Sequence, residues 1–363
     1  MRVAVGLSGG VDSSVTALLL KEQGYDVVGI TMKLWREGGR YHGGEYESCF
    51  GPGEEKNIAI AAALAKKLDI PYEVFDCSAE YEKHILDYVR DTYRAGRTPN
   101  PCVKCNELMK FGLLPELAQK AGLKFDKFTT GHYARVAFNE ATGRYEIKRA
   151  KDESKDQSYF LYRLSQAQLK RHLFPMGELT KKEAREIAHK FGLAAADRPD
   201  SQDFYSGEIS EIINLPPKVG NVVTTEGKVI GTHQGYWNYT IGQRKGLGIG
   251  GGTPFYVVDL NACKNEVIVG TRVDADVKDF DLVQETIVYG ALDTLKGVPT
   301  SSDGLQAVKG LIKVRSAGSP KGPIMYENGH IHAEGGIFGV APGQSAVIYD
   351  LTGETILLGG IIK

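Results

Sequence analysis

Residues 3–14 read VAVGLSGGVDSS, and this stretch decides the fold. Its first five residues form an apolar run typical of a buried strand, and a helical pattern begins after Ser14. Glycines in such a turn let backbone N–H groups approach an anion, and the helix that follows directs its N-terminal dipole at the same point. The order of strand, glycine loop and helix therefore predicts a phosphate site.

The chemistry of the loop narrows the ligand. No Gly-Lys-Ser/Thr follows the glycines, so this is not the loop that holds a terminal γ-phosphate with a lysine. Instead, the hydroxyls of Ser8, Ser13 and Ser14 are predicted to hold a pyrophosphate together with the backbone N–H groups. Asp12, which lies among them, is predicted to hold Mg²⁺.

Length and composition set broad limits. A chain of 363 residues exceeds one typical core, so two or three domains are expected. The formal net charge is −1, and the basic excess between Arg144 and Lys190 suits either an RNA-binding face or ordinary solvated helices. We expect a cytoplasmic protein with no membrane segment, because the sequence shows neither a leader nor an apolar run of spanning length.

Strand and helix patterns alternate up to about residue 200. This alternation predicts an α/β fold, a doubly wound parallel sheet that binds its ligand at the carboxyl ends of the strands. Short β-type runs separated by Gly, Pro and Asn follow, and they predict two small β domains. The expected boundaries are 1–203 for the α/β domain that carries the phosphate loop, 204–280 for a central β-rich domain and 281–363 for a β-barrel-like domain.

A second informative segment, TPNPCVKCN, spans residues 98–106. A helix predicted from Asn106 to Ala121 would place Cys105 at its N-terminus, where the dipole favours the thiolate. The CxxC spacing serves zinc, iron–sulfur and redox sites alike, and the absence of a second CxxC or a close His pair disfavours zinc. Five cysteines without an export signal argue against a disulfide framework.

These motifs together resemble those of a known family. SGGVDSS resembles the PP-loop of ATP pyrophosphatases, and the remaining motifs resemble one branch of them, the bacterial tRNA-specific 2-thiouridylases. The resemblance spans nearly the whole chain in the family's order. The motifs that carry it are residues 96–101 (GRTPNP), 105–106 (CN), 110–111 (KF), 131–135 (GHYAR), 155–161 (KDQSYFL), 200–203 (DSQD), 239–248 (YTIGQRKGLG) and 341–344 (APGQ).

The resemblance implies 2-thiolation of the wobble uridine of tRNA. ATP adenylates O2 of the base, sulfur attacks C2 and AMP leaves. By the same resemblance, Cys105 is the thiol that faces the activated base. The implied ATP-binding residues are Gly6, Leu7, Ser8, Gly9, Gly10, Val11, Asp12, Ser13, Ser14, Met32 and Gly131. The implied tRNA-binding residues are His132, Lys155, Asp156, Gln157, Arg315 and Gln344.

The chain also departs from the family's pattern. Most members have a second cysteine, which receives the persulfide, at the position of Tyr205, and tyrosine cannot carry sulfane sulfur. Cys102 stands where many members have Asp, and Cys49 lies in a long loop. Near Arg315 the family tends to have Arg-Tyr-Arg, whereas this chain has Arg-Ser-Ala.

The changed cysteines suggest a different way of handling sulfur. We hypothesise that Cys49, Cys102 and Cys105 hold a [4Fe–4S] cluster, with one iron left open for the attacking sulfur. The alternative is an iron-free relay through a persulfide of Cys102 and Cys105. Cys77 and Cys263 are expected to be ordinary core or surface residues. The sulfur donor is either a protein or inorganic sulfide, and the sequence does not distinguish the two. It does not indicate the oligomeric state either.

Two other functions stay open at this point. One is a PP-loop ligase or thiolase that acts on a small molecule, which the altered residues after Arg315 would allow. The other is a tRNA-binding protein without catalytic activity, which the intact SGGVDSS loop argues against.

Overall fold

The structure is a computed structural model that describes residues 1–36, 38, 41–44, 48–200, 203–250, 254–288 and 307–363. These residues form two compact units. The first contains residues 1–85 and 101–208 with Val288, and the second contains residues 86–100, 209–287 and 307–363. Ser201 and Gln202, which belong to a motif of the resemblance, lie outside the described residues.

The first unit is built on a parallel sheet of five strands in the order β3-β2-β1-β4-β7. The middle of the central strand is fully buried, with Val3 and Val5 at 0% exposure, because helices cover both faces of such a sheet. A separate hairpin joins β5 to β6. The strands are β1 (Arg2–Gly6), β2 (Asp26–Lys33), β3 (Tyr72–Asp76), β4 (Lys127–Thr129), β5 (Arg135–Asn139), β6 (Arg144–Lys148) and β7 (His172–Leu173).

The helices of the first unit follow the strands. Thr180 and Glu183 form a capping box that fixes the start of α8. Two helical stretches contain a π-helical segment, Glu82–Leu86 and Asn106–Leu113. The α-helices are α1 (Val11–Glu22), α2 (Glu54–Lys67), α3 (Ser78–Tyr81), α5 (Pro101–Cys105), α6 (Leu114–Lys120), α7 (Gln166–Arg171) and α8 (Lys181–Lys190), while α4 (Asp87–Arg94) belongs to the second unit.

The second unit is mostly β-structure. It contains a four-stranded sheet in the order β10-β11-β8-β9 and a closed barrel in the order β12-β15-β14-β13-β16-β17. Its helices are α4 (Asp87–Arg94) and α9 (Ile209–Ile213). Its strands are β8 (Gly220–Thr224), β9 (Val229–His233), β10 (Tyr256–Asn261), β11 (Glu266–Gly270), β12 (Asp276–Ile287), β13 (Val308–Lys313), β14 (Lys321–Glu327), β15 (His330–Phe338), β16 (Ser345–Tyr349) and β17 (Ile356–Ile362).

The predicted fold class is confirmed: a parallel α/β sheet comes first and β-rich structure follows. The three domain boundaries stay a prediction, although strands β8 to β11 and strands β12 to β17 do form separate β-structures. No helix within the described residues is long and apolar enough to cross a membrane.

The prediction of a helix starting at Asn106 is wrong. The helix begins at Pro101, so Cys105 is its fifth residue. Proline suits a first helical position because its φ is already helical and its missing N–H would have no partner there. The dipole at the helix start therefore does not act on Cys105.

Candidate active site

The loop after β1 is shaped by contacts within residues 8–14. The Ser8 and Ser13 hydroxyls lie 3.2 Å apart, and the Ser14 hydroxyl donates to the Gly10 carbonyl at 2.8 Å. Gly9 has a φ of +75°, and a Cβ there would lie 2.5 Å from the Asn57 carbonyl oxygen. Glycine is therefore required at residue 9, and the loop is held tightly against α2.

The start of α1 faces this loop without a side-chain cap. Gly10 is its N-cap residue and offers no side chain to the first turn, so backbone N–H groups of that turn remain for an anion. Gly131, just beyond β4, packs directly on the turn, since a Cβ there would lie 2.6 Å from the Ser13 nitrogen. Met32 lies near the carboxyl end of β2, beside β1. The structure thus gathers the predicted ATP-binding residues at one edge of the sheet.

Asp12 is bound by two side chains from outside the loop. The Lys181 ammonium lies 2.8 Å from Asp12 Oδ1 and 2.9 Å from Oδ2, and the Tyr133 hydroxyl donates to Oδ1 at 2.8 Å. Burial and the negative charge of Asp12 raise the pKa of Tyr133, so its proton stays on the hydroxyl. Asp12, the predicted Mg²⁺ ligand, is thereby oriented and its charge is balanced by Lys181.

A second carboxylate extends this network. Asp200 lies 2.6 Å from the Lys181 ammonium and 2.9 Å from that of Lys155. Burial opposes the charge of Asp200, but the hydrogen bonds from Lys181 and Lys155 hold its pKa below the usual value. Arg198 donates to the Gly9 carbonyl at 3.0 Å. Positive side chains therefore surround the phosphate loop, as a polyphosphate ligand requires.

Sequence reasoning missed the roles of Lys181 and Arg198. Both are far from the loop in sequence, 169 and 189 residues from their partners. One signal for Lys181 was available. The Thr180/Glu183 capping box marks residue 181 as the first helical position, where a positive charge is unfavourable to the helix dipole. A lysine placed there against the dipole indicates a partner from elsewhere in the fold.

The cysteines of α5 have raised rather than lowered pKa values. Burial raises the pKa of Cys105 to about 11 and that of Cys102 to about 12. The prediction of a dipole-stabilised Cys105 thiolate is therefore wrong for the free protein. The positive charge of Lys110 acts in the opposite direction on both thiols.

Cys49 reaches the same region from its loop. Its side chain is exposed, and its charge would raise the pKa of both Cys102 and Cys105. The charges of all three cysteines also raise the pKa of the buried Tyr81, after the larger effect of burial. These mutual effects place the three thiols in one electrostatic neighbourhood. Among the described residues, no group of three His, Cys, Asp or Glu side chains is arranged to hold a metal ion.

The other two cysteines lie as expected. Cys77 is fully buried, at 0% exposure, and burial raises its pKa to about 12. Cys263 is exposed. The expectation of a core and a surface residue is confirmed.

His132 is a buried side chain beside the loop that follows β4. Its Nδ1 lies 2.6 Å from the Thr130 hydroxyl oxygen, and its ring centroid lies 5.6 Å from that of Phe111. Burial, and then the charge of Lys110, hold the pKa of His132 well below its usual value. The imidazole is therefore neutral and is fitted to hydrogen bonding, not to charge pairing with phosphate.

Residues 155–157 have two different roles, an ion pair for Lys155 and support of the neighbouring backbone for Asp156 and Gln157. Lys155 reaches Asp200 in the network described above. Asp156 accepts hydrogen bonds from the Ala150 and Ser158 backbones at 3.1 and 3.2 Å. The side chain of Gln157 accepts from the Tyr133 backbone at 2.9 Å. Asp156 and Gln157 thus support the segment that presents Tyr133 to Asp12.

The remaining two predicted tRNA-binding residues belong to the second unit. The side chain of Gln344 donates to the Pro99 carbonyl at 2.7 Å and accepts from the Asn100 amide at 3.3 Å. Gln344 thereby holds part of the GRTPNP motif within that unit. The Arg315 guanidinium donates to the Ile241 carbonyl.

Comparisons with known proteins cover the whole chain. The family model described as "tRNA methyl transferase HUP domain" matches residues 1–205, and "tRNA methyl transferase PRC-barrel domain" matches residues 212–271. The tRNA-specific 2-thiouridylase MnmA of Endomicrobium trichonymphae is 43% identical over 371 residues, which cover 100% of this chain and 99% of that protein. The chain belongs to the tRNA-specific 2-thiouridylase family.

A second family member gives the same result. The enzyme of the same name from Trichormus variabilis is 42% identical over 370 residues, covering 100% of this chain and 98% of that protein. A solved structure described as the U34-tRNA thiolase NcsA from Methanococcus maripaludis with its [4Fe-4S] cluster has a TM-score of 0.37 and 19% identity, and the match covers 59% of this chain and 63% of that one. A TM-score of that size supports no inference about this chain.

Proposed function

We propose that the chain is an ATP-dependent sulfurtransferase that thiolates C2 of the wobble uridine in tRNA. The observation that carries the proposal is the anion-binding edge of the first unit, where the 8–14 loop, Gly131 and Lys181 meet. Its relatives over the full length are named tRNA-specific 2-thiouridylases. The proposed partners are tRNA and a sulfur donor, and the proposed location is the cytoplasm.

The reaction needs an activated base because a carbonyl oxygen is a poor leaving group. O2 of the uridine attacks the α-phosphorus of ATP and pyrophosphate leaves, held by the N–H groups of the loop and by Ser8 and Ser13. Asp12 would hold the Mg²⁺ that accompanies the phosphates and offsets part of their charge, and Lys181 supplies further positive charge beside them. Hydrosulfide then adds to C2, AMP departs with the electron pair of the C2–O bond, and the proton of the sulfur moves to N3, which leaves the 2-thiouridine.

The predicted tRNA contacts stay part of this proposal. His132 and Lys155 lie beside the phosphate loop's network, whereas Gln344 and Arg315 lie in the second unit. Enzymes that modify a base must take it out of its stack, which costs free energy that contacts of this kind offset. Asp156 and Gln157 act, in this proposal, by supporting the surface that their neighbours present.

The sulfur site is proposed to hold a [4Fe–4S] cluster bound by Cys49, Cys102 and Cys105. The donor set fits the group, because cluster thiolates bind separate irons and three suffice to anchor it. The grouping of three soft thiol donors beside the cation Lys110 supports this assignment, since Lys110 offsets their negative charge. An iron without a protein ligand would supply a place to hold hydrosulfide as a nucleophile.

The overall function is tested with purified protein, ATP, Mg²⁺ and tRNA. We expect pyrophosphate release that depends on tRNA, and 2-thiouridine in the digested product when sulfide is present. A tRNA with cytidine in place of the wobble uridine is the matched control and should give neither product. Pyrophosphate release that a small carbonyl or amide compound stimulates, but tRNA does not, would overturn the proposal.

The cluster is tested separately under anaerobic conditions. The protein should be brown and hold about four irons per chain. Cys49→Ala, Cys102→Ala and Cys105→Ala should each lose colour and thiolation, whereas Cys263→Ala, which changes an exposed cysteine, should keep both. Iron-free protein with full thiolation activity, or a fully active Cys49→Ala variant, would favour the Cys102/Cys105 relay instead.

A further inference from the structure

The segment that carries Cys49 is paired with residues 204–206. The Phe50 backbone N–H donates to the Phe204 carbonyl at 2.9 Å. On the near side of Cys49, the Ser48 hydroxyl lies 3.4 Å from the Ser206 hydroxyl, and the Gly44 backbone N–H donates to Ser206 Oγ at 3.0 Å. Segment 204–206 thus contacts residues that precede Cys49 as well as a residue that follows it.

Tyr205 is at the centre of this pairing. Its backbone forms a parallel bridge with Phe50, and its ring centroid lies 5.8 Å from that of Phe50 and 6.3 Å from that of Tyr41. Its hydroxyl accepts the Gly43 backbone N–H at 3.0 Å. The side chain is 6% exposed, so it is enclosed by the loop that it contacts. One side chain therefore contacts residues on both sides of Cys49.

The aromatic packing around Tyr205 continues through Phe50 to Tyr81. Phe50 stacks on Tyr81 with ring centroids 5.2 Å apart. Burial, and then the charges of all three thiols, raise the pKa of Tyr81. Tyr205, Phe50 and Tyr81 thus form a continuous packed row. A row of buried rings is rigid, because each has only two side-chain torsions and both are restricted by its neighbours.

We propose that Tyr205 is a positioning residue that fixes Cys49 relative to Cys102 and Cys105. It does so by clamping residues 43 and 50, which flank Cys49, onto the segment after β7 and α8. The inference rests on the proposed function for its catalytic consequence, since it gives the tyrosine a role in a site built from Cys49. A loop cysteine that is not held in place would be a poor partner for two thiols on a helix.

The test uses full-length protein with Tyr205→Phe, which removes only the hydroxyl, and Tyr205→Leu, which also removes the ring. Tyr205→Phe combined with Ser206→Ala removes the hydroxyls that bond to Gly43, Gly44 and Ser48 without creating a large cavity, and it carries the test if Tyr205→Leu does not fold. The matched control is Tyr25→Phe, because Tyr25 lies beyond the carboxyl-terminal end of α1, away from the Cys49 loop. Dibromobimane, which joins two thiols, is applied to reduced, metal-free protein, and mass spectrometry of the digested peptides measures the Cys49 to Cys102 or Cys105 cross-link separately from one between Cys102 and Cys105.

We expect the cross-link yield to fall at least about threefold in Tyr205→Leu and in the double variant, and less in Tyr205→Phe. Thiolation kcat should fall in the same order, with the KM for ATP and pyrophosphate release within about twofold of wild type. Hydrogen exchange in residues 41–44 and 48–52 should accelerate.

Two results separate the inference from the proposed function. Unchanged cross-linking and thiolation in Tyr205→Leu and in the double variant would overturn the role of Tyr205 and leave the proposed function intact. Reduced cross-linking in the variants, together with wild-type protein that does not thiolate tRNA, would support the positioning of Cys49 and contradict the proposed function.

Discussion

Lys181 Nζ lies within 2.9 Å of both carboxylate oxygens of Asp12, although 169 residues separate them. The lysine side chain is 11% exposed and that of the aspartate 28%. The pair lies directly beside the loop that is proposed to bind ATP. Lys181 thus supplies from α8 the positive charge that a Gly-Lys-Ser/Thr loop would carry within itself.

Replacing Lys181 by Met should raise the KM for ATP about 10- to 100-fold, because charge-assisted hydrogen bonds are worth about 1.5–3 kcal/mol. It should also lower stability, since Asp12 would lose its paired cation, whereas Asp200 would still pair with Lys155. Lys182→Met is the control, because Lys182 is 86% exposed and pairs only at 3.8 Å with Glu186. Steady-state kinetics and thermal unfolding measure both effects. Equal KM values for the two variants would contradict this role.

Asp12→Asn should reduce pyrophosphate release by more than about 100-fold, because an amide is a far weaker Mg²⁺ ligand than a carboxylate. The amide oxygen can still accept the Tyr133 hydroxyl, so the fold should persist. Asp26→Asn, at an exposed position of β2, serves as the control. The measurement is pyrophosphate release at saturating Mg²⁺ with circular dichroism as a check on folding. Wild-type release from Asp12→Asn would remove Asp12 from the ATP site.

Gln344→Ala should raise the KM for tRNA about 5- to 10-fold while leaving the KM for ATP unchanged. The loss of hydrogen bonding worth about 1 to 1.4 kcal/mol accounts for that factor, because about 1.4 kcal/mol corresponds to tenfold in binding. Within the second unit, the exposed Gln234→Ala should change neither value. Initial rates over a range of tRNA and ATP concentrations separate the two constants. A rise in the KM for ATP alone would count against a tRNA-facing role.

The pKa values of the α5 thiols predict slow alkylation of the metal-free native protein. At pH 8 the thiolate fraction of Cys105 should be about two orders of magnitude below that of an ordinary cysteine, because its pKa is raised to about 11. Since the folded pKa lies above the unfolded one, this group's contribution to stability is complete below the unfolded pKa and is lost as pH rises through about 11.

Iodoacetamide labelling read by mass spectrometry, in buffer and in urea, measures the difference between native and unfolded protein. Cys263, which is exposed in the native state, serves as the internal reference. Equal labelling rates for Cys105 and Cys263 in the native protein would contradict the raised pKa.

The sequence alone was sufficient to predict structural elements whose pattern lies within neighbouring residues. The β1–loop–α1 unit follows from an apolar run, a glycine turn and a helical period, and β-structure forms after residue 200, where short β-type runs predict it. The start of α5 was mislocated, although Pro101 is the first-position residue that marks such a start. Contacts between distant residues were beyond reach, because neither Lys181 nor Tyr205 shows its partner in the surrounding sequence. Such contacts form when the folded structure brings residues that are distant in sequence close together.

The closed barrel has a further consequence for aggregation. β17 completes the ring by pairing with β16 on one side and β12 on the other. A ring of this kind exposes no edge strand, so its N–H and C=O groups are not offered to a neighbouring molecule. Deleting residues 356–362 would create two edges at once, and we expect such a truncated chain to self-associate through them. One seven-residue strand thus protects the barrel's backbone from intermolecular pairing.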